Sequence, residues 1–99
     1  MNKEKVYGYL CAYCIGRKCV TSSQTLEKTL NLSGNELRKQ INALRREAVP
    51  IASSSAGYFY AENAAELYAT IRSLKKMRRG LDAAIAGLEQ ALEKFGDAP

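Results

Sequence analysis

The sequence predicts a mainly α-helical fold with one small β-hairpin and a long C-terminal helix, and three observations predict it. Up to Ala48 the chain holds three stretches with apolar side chains at helical spacing. Two short β-favouring runs follow, Ile51-Ala52-Ser53 and Tyr58-Phe59-Tyr60, separated by the turn-like Ser54-Ser55-Ala56-Gly57. From Leu67 onward, apolar residues recur at alternating intervals of four and three, as in a coiled-coil seam. In chain order this reads as a helix-turn-helix with a two-stranded wing over residues 1–61, and a dimerising helix over residues 62–99.

The first helix is expected from Lys3 to Ile15, where Val6, Tyr9, Leu10, Tyr13 and Cys14 share one face. Gly16 suits a left-handed stop, and Arg17 and Lys18 complement the negative helix end. Cys19-Val20-Thr21 is β-favouring and is expected to pair with the wing. Ser22 or Ser23 then caps a second helix, Gln24 to Leu30, with Leu26 and Leu30 turned inward.

The turn that follows carries the most specific signal. Asn31 tolerates the left-handed backbone that ends a helix, Leu32 can plug the core, and Ser33 with Glu36 forms an S-x-x-E capping box. The third helix runs from about Gly34 to Ala48, with Leu37, Ile41, Leu44 and Ala48 as its buried stripe. The opposite arc presents Asn35, Lys39, Asn42 and Arg46, while Arg38 and Arg45 stand to one side within reach of phosphates. Asn suits adenine and Lys or Arg suits guanine in the major groove, so this acid-free face has the chemistry of a recognition helix. A solvated surface helix also carries polar residues opposite its core, and the position in a helix-turn-helix is what favours recognition.

Charge follows the same division. The formal charge is +5, and residues 1–61 hold nine cations against four acids, whereas residues 62–99 carry six of each sign. A basic head on a neutral tail favours a polyanionic partner for the head. The tail seam comprises Leu67, Ile71, Leu74, Leu81, Ile85, Leu88, Leu92 and Phe95, interrupted by Arg78. A stripe this narrow suits self-association, so a homodimer is expected. Gly80 allows a helical hairpin as the alternative to one continuous helix.

Other classes find little support. Histidine is absent, and no phosphate loop or paired carboxylates stand out, so no enzyme, catalytic residue or cofactor is expected. Cys11, Cys14 and Cys19 are read as reduced thiols, with Cys11 and Cys14 as small core hydrophobes; they lack the fourth ligand of an iron-sulfur or zinc site, and no metal is expected. No apolar stretch is long enough to span a bilayer and no signal-like core follows Met1, so a cytoplasmic protein with no membrane partner is expected.

The run from Gly16-Arg17 through Thr21-Ser22, Leu30-Asn31-Leu32-Ser33-Gly34, Leu37-Arg38, Ile41-Asn42, Leu44-Arg45, Pro50-Ile51 and Gly57-Tyr58 resembles the winged helix-turn-helix domain at the N-terminus of biotin operon repressors. It is similar also to small bacterial and phage winged-helix regulators that share the domain without a ligase. The resemblance covers roughly the first 61 residues and rests on spacing. It implies that the helix beginning near Ser33 is the recognition helix and that Ser54 and Ser55 lie on the wing. The functional expectation is a dimeric transcriptional regulator, a repressor on a palindromic double-stranded DNA operator, that reads bases through Asn42 and Lys39 and holds phosphates through Arg45. A winged-helix adaptor or inhibitor that binds protein, and a DNA-replication accessory factor, are the competing expectations.

Overall fold

In a computed structural model, residues 1–96 are described. Their order is helix α1 (Asn2–Tyr13), α2 (Ser23–Leu30), α3 (Gly34–Arg46), strands β1 (Ile51–Ser54) and β2 (Gly57–Tyr60), and helix α4 (Ala64–Ala91), with short 3₁₀ turns at Arg17–Cys19 and Leu92–Phe95. The fold is mainly helical with a two-stranded antiparallel hairpin and a long C-terminal helix.

The first three helices bury most of the stripe that their spacing dictates, but Tyr13, expected on the buried face of α1, is exposed and Tyr9 is half-buried. Val6, Leu10 and Cys14 from the first segment meet Leu26 and Leu30 of α2 and Leu37, Ile41 and Leu44 of α3, and Ile51, Ala52 and Phe59 of the hairpin close the core. Full burial of a Leu, Ile or Phe side chain contributes about 1.5–3 kcal/mol, so this single cluster dominates the stability of the head. Cys14 serves as the core cysteine, with its Sγ 3.1 Å from Thr21 Oγ1, whereas Cys11 is only half-buried and Cys19 is exposed.

The caps form as local chemistry requires. Ser22 Oγ accepts the Thr25 amide at 3.1 Å, Asn31 ends α2 in the left-handed region at φ 55°, and Ser33 Oγ accepts the Glu36 amide at 3.1 Å. Only half of the expected capping box is present, because the Glu36 carboxylate turns away from Ser33 to accept from Gln40 and Asn2. Helix α3 stops at Arg46, short of the expected Ala48. Ala48 is exposed at φ 66°, so it belongs to the reversal that feeds β1 and not to the buried stripe.

The hairpin pairs Ile51 with Tyr60 and Ser54 with Gly57 across a two-residue tip, Ser55-Ala56. Its outer edges are both engaged. Thr21 and Tyr58 exchange amide–carbonyl bonds at 3.0 and 2.9 Å, the Gly16 amide donates to Tyr60 O at 2.9 Å, and the Tyr60 amide donates to Cys14 O at 2.7 Å. The segment before α2 therefore pairs with β2 as expected, but through isolated bridges, since Arg17–Cys19 winds into a 3₁₀ turn. On the other edge, Thr70 Oγ1 of α4 accepts the Ser53 amide at 3.0 Å and donates to Ser53 O at 3.3 Å.

Helix α4 starts at an Asn63 cap whose Oδ1 accepts the Glu66 amide at 3.0 Å. The Glu66 carboxylate accepts the Glu62 and Arg17 amides at 2.7 and 3.0 Å, and these bonds hold it below the usual carboxylate range. Gly80 does not break the helix, which runs continuously from Ala64 to Ala91 and thereby excludes a hairpin at that point. Beyond Ile71 its side chains are largely exposed. Among the described residues no helix is long and apolar enough to cross a membrane.

Two glycines separate backbone constraint from mere tolerance. A Cβ at Gly57, where φ is 142°, would lie 2.1 Å from Thr21 O, whereas one at Gly80 would meet nothing within 4 Å. Gly57→Ala is expected to destabilise the protein by roughly 3 kcal/mol or more. Gly80→Ala is expected to stabilise α4 by about 1 kcal/mol. Urea unfolding of both variants checks the pair.

Candidate functional site

The outer face of α3, the N-terminus of α2, the hairpin tip and one turn of α4 enclose an open concavity of about 600 Å³. Ser22, Ser23 and Gln24 form one wall, Arg38, Asn42 and Arg45 the second, and Ser53 to Gly57 with Tyr58 the third. Leu74 and Met77 of α4 complete the rim. Among the described residues no carboxylate lines it, and its charged groups are two guanidinium groups. The free amides at the start of α2 add positive potential to the same space.

The positions follow from helix geometry. Arg38, Asn42 and Arg45 lie three and four residues apart, so they form one row that faces the hairpin. Ser54 and Ser55 reach the row from the tip, where Ser54 Oγ also accepts the Ala56 amide at 3.2 Å. Asn35, Lys39 and Arg46 are exposed on α3 but lie outside the concavity, and Ser33 is occupied as the cap. Asn35 Oδ1 accepts from the Arg38 guanidinium one turn later, which fixes both side chains on the helix surface. The expected site residues thus divide into a row facing the hairpin and a row facing open solvent.

Arg45 departs from the expected role of a free phosphate contact. Its Nε donates to Ile51 O at 2.9 Å, its Nη2 donates to Ser53 Oγ at 3.2 Å, and its guanidinium carbon lies 5.9 Å from the Tyr58 ring centre. Burial pulls the guanidinium below the ordinary arginine range, while the Tyr58 hydroxyl acts in the opposite direction. An arginine remains cationic under such a shift, so Arg45 places a fixed positive charge at the junction of α3 and β1. Its first task is to brace the hairpin against the helix.

No family model, curated protein or solved structure matches the chain. The reading of the site therefore rests on its own residues.

Several contributors were not assigned to the site from sequence. Ser22 and Ser23 were legible as caps, but their place on a shared wall depends on the angle between α2 and α3. Tyr58 and Ser53 enter through the hairpin register, and Leu74 and Met77 enter because α4 runs beside β1 toward the tip. Among the described residues no group of three or more His, Cys, Asp or Glu side chains is placed to hold a metal ion.

The brace makes a prediction. Arg45→Ala is expected to lower unfolding stability by about 1–3 kcal/mol through loss of the bonds to Ile51 O and Ser53 Oγ, whereas Arg38→Ala changes it by less than about 0.5 kcal/mol. Chemical denaturation of the two variants distinguishes the arginine that braces the hairpin from the one held only to its own helix.

Proposed function

We propose that this chain is a winged helix-turn-helix regulator that binds double-stranded DNA with α3 in the major groove and acts as a dimer on a two-fold site. One observation carries the reading: the row Arg38, Asn42 and Arg45 and the hairpin tip open onto the same acid-free concavity. That arrangement combines a base-reading amide, guanidinium charge and hydroxyl donors on a surface of the right kind for a phosphate backbone and an exposed base edge.

The roles follow from accessibility. Asn42 and Lys39 are exposed near the middle of α3 and are the base readers, with Asn35 and Arg46 flanking them along the helix. Arg38, Ser54 and Ser55 hold phosphates, helped by the amides at the start of α2 and α3. Arg45 contributes charge from a fixed position, so its removal disturbs the hairpin before it disturbs any single contact. The tail supplies the second copy through its exposed apolar stripe, which includes Leu81 at 65%, Ile85 at 54% and Leu88 at 71% exposure.

That same stripe favours a second reading, in which the chain is an adaptor whose α4 docks on another protein. The two readings differ in what the α3 face does, because an adaptor has no need of acid-free polar groups there.

The test is fluorescence anisotropy on random-sequence duplex DNA over a salt series. Binding is expected, with log affinity falling linearly against log salt by about 0.9 per phosphate neutralised. Arg38→Ala is expected to lower that slope by about one unit on every sequence. With an operator selected from a random library, Asn42→Ala costs about 1–3 kcal/mol on that site and much less on random duplex. Absence of binding at low salt overturns the DNA reading in favour of the adaptor.

A further inference from the structure

Helix α4 leaves two surfaces uncovered that fit each other. The first is an apolar groove of about 300 Å³ between the beginning of α4 and the α3–β1 connection, walled by Val49, Pro50, Leu67, Ile71 and Leu74. The second is the far end of the same helix, where Phe95 is 76% exposed at the tip of the apolar stripe. The four-three spacing continues from Ile71 to Phe95, and because such a spacing drifts by about 20° per heptad on a straight helix, groove and aromatic tip come onto one seam when two copies supercoil.

Charge along α4 is divided in a way that matters for pairing. Residues 64–80 carry five cations and one acid, whereas residues 81–96 carry three acids and one cation. A parallel pair sets basic half against basic half and puts Arg78, a seam residue, against its own copy, with Asp82 one turn later as the nearest carboxylate. Ile71 with Leu74, and Ile85 with Leu88, are spaced as a parallel seam prefers, but that preference does not offset a like-charge contact inside the seam.

We propose that two copies of this chain pair through α4 in antiparallel orientation, with Phe95 of each seated in the apolar groove of the other. This rests on the dimer assumed in the functional reading and adds its orientation and its anchoring contact. With the two-fold axis at position 83, Ile71 lies opposite Phe95, Leu74 opposite Leu92, and Leu81 opposite Ile85. Arg78 falls opposite Leu88 and beside Glu89, and Lys75 faces Glu89 across the edge of the seam. Asp82 meets its own copy near the axis, where Arg78, one turn earlier on each helix, neutralises the pair.

The orientation also sets the distance between heads. Ile71 and Phe95 are 24 residues apart, so the two Ile71 positions, each at the edge of a head, are separated by about 36 Å along the pair. Consecutive major-groove faces on one side of B-DNA are separated by about 34–36 Å. The groove that receives Phe95 lies on the side of the α3–β1 connection and shares Leu74 with the rim of the concavity between α3 and the hairpin tip, so the partner helix borders that concavity.

Disulfide trapping in the full chain tests the proposal. Cys11 and Cys19 are replaced by serine, and buried Cys14 is kept. Leu74→Cys and Leu92→Cys are placed in separate chains, and each alone and an equimolar mixture are oxidised and read by mass spectrometry, with the light-scattering mass of the unaltered chain measured in the same buffer. The expected result is a dimeric mass with a 74–92 cross-link that forms in the mixture and not in either sample alone. A dimeric mass with homotypic cross-links in the separate samples overturns the orientation and leaves the dimer standing. A monomeric mass without cross-links overturns both, while the DNA anisotropy result remains an independent measure of the α3 face. As a second measurement, Lys75→Glu and Glu89→Lys each weaken association and together restore it; failure of the combination to restore a dimer contradicts the antiparallel facing of these positions. Phe95→Ala is expected to weaken association without altering the unfolding of the head, and an unchanged dimer removes the anchoring contact.

Discussion

Strand β2 is held between two backbones, and the rest of the structure depends on that confinement. On one side it pairs with β1, and on the other it exchanges bonds with Cys14, Gly16 and Thr21, with Gly57 packed so closely on Thr21 that no side chain fits. An isolated two-stranded hairpin is marginal in water, so these bonds and the buried Phe59 are what make this one stable. They also fix where α1 ends and α2 begins, because Cys14 and Thr21 flank that connection. The angle between the hairpin tip and the outer face of α3 follows from the same anchoring, reinforced by Arg45.

Helix α4 uses the remaining free edge. Thr70 satisfies both the amide and the carbonyl of Ser53, and this capping of an exposed strand edge also removes a site for unwanted strand pairing. Glu66 ties the first turn of α4 to the backbone at Arg17. These few polar contacts, together with Leu67 and Ile71 against the α3–β1 connection, orient a helix whose outer half is exposed. The proposed function draws on both halves of this design: a rigid head presenting an acid-free row beside a tip, and a projecting helix free to find a second copy.

Much of the architecture was legible in the sequence because burial repeats along a helix with a fixed period. Leu37, Ile41 and Leu44 could be placed inside, and Asn42 and Lys39 outside, from spacing alone, and the caps at Ser22, Ser33 and Asn31 follow from side-chain chemistry. What was not legible depends on tertiary approach. Ala48 fits the phase of the buried stripe, yet the chain reverses there to reach β1, and no residue preference announced a left-handed alanine. Arg45 shares the composition of a phosphate contact, and only the return of Ile51 and Ser53 beside it reveals a brace. Leu74 and Met77 fall within a periodic tail, and their place on the rim of the concavity depends on the direction in which Thr70 sends α4. The hydroxyls and guanidinium groups of the candidate site were visible one by one; their convergence required the hairpin to be seated.

The central claim, that the row on α3 and the hairpin tip form one surface for duplex DNA, is tested most directly by backbone amide NMR of the labelled protein titrated with a short random duplex. The account predicts shifts concentrated at the start of α2, along Arg38 to Asn42, and at Ser54 to Gly57, with the outer half of α4 little changed. Shifts confined to the apolar stripe of α4, with the α3 face silent, would contradict it.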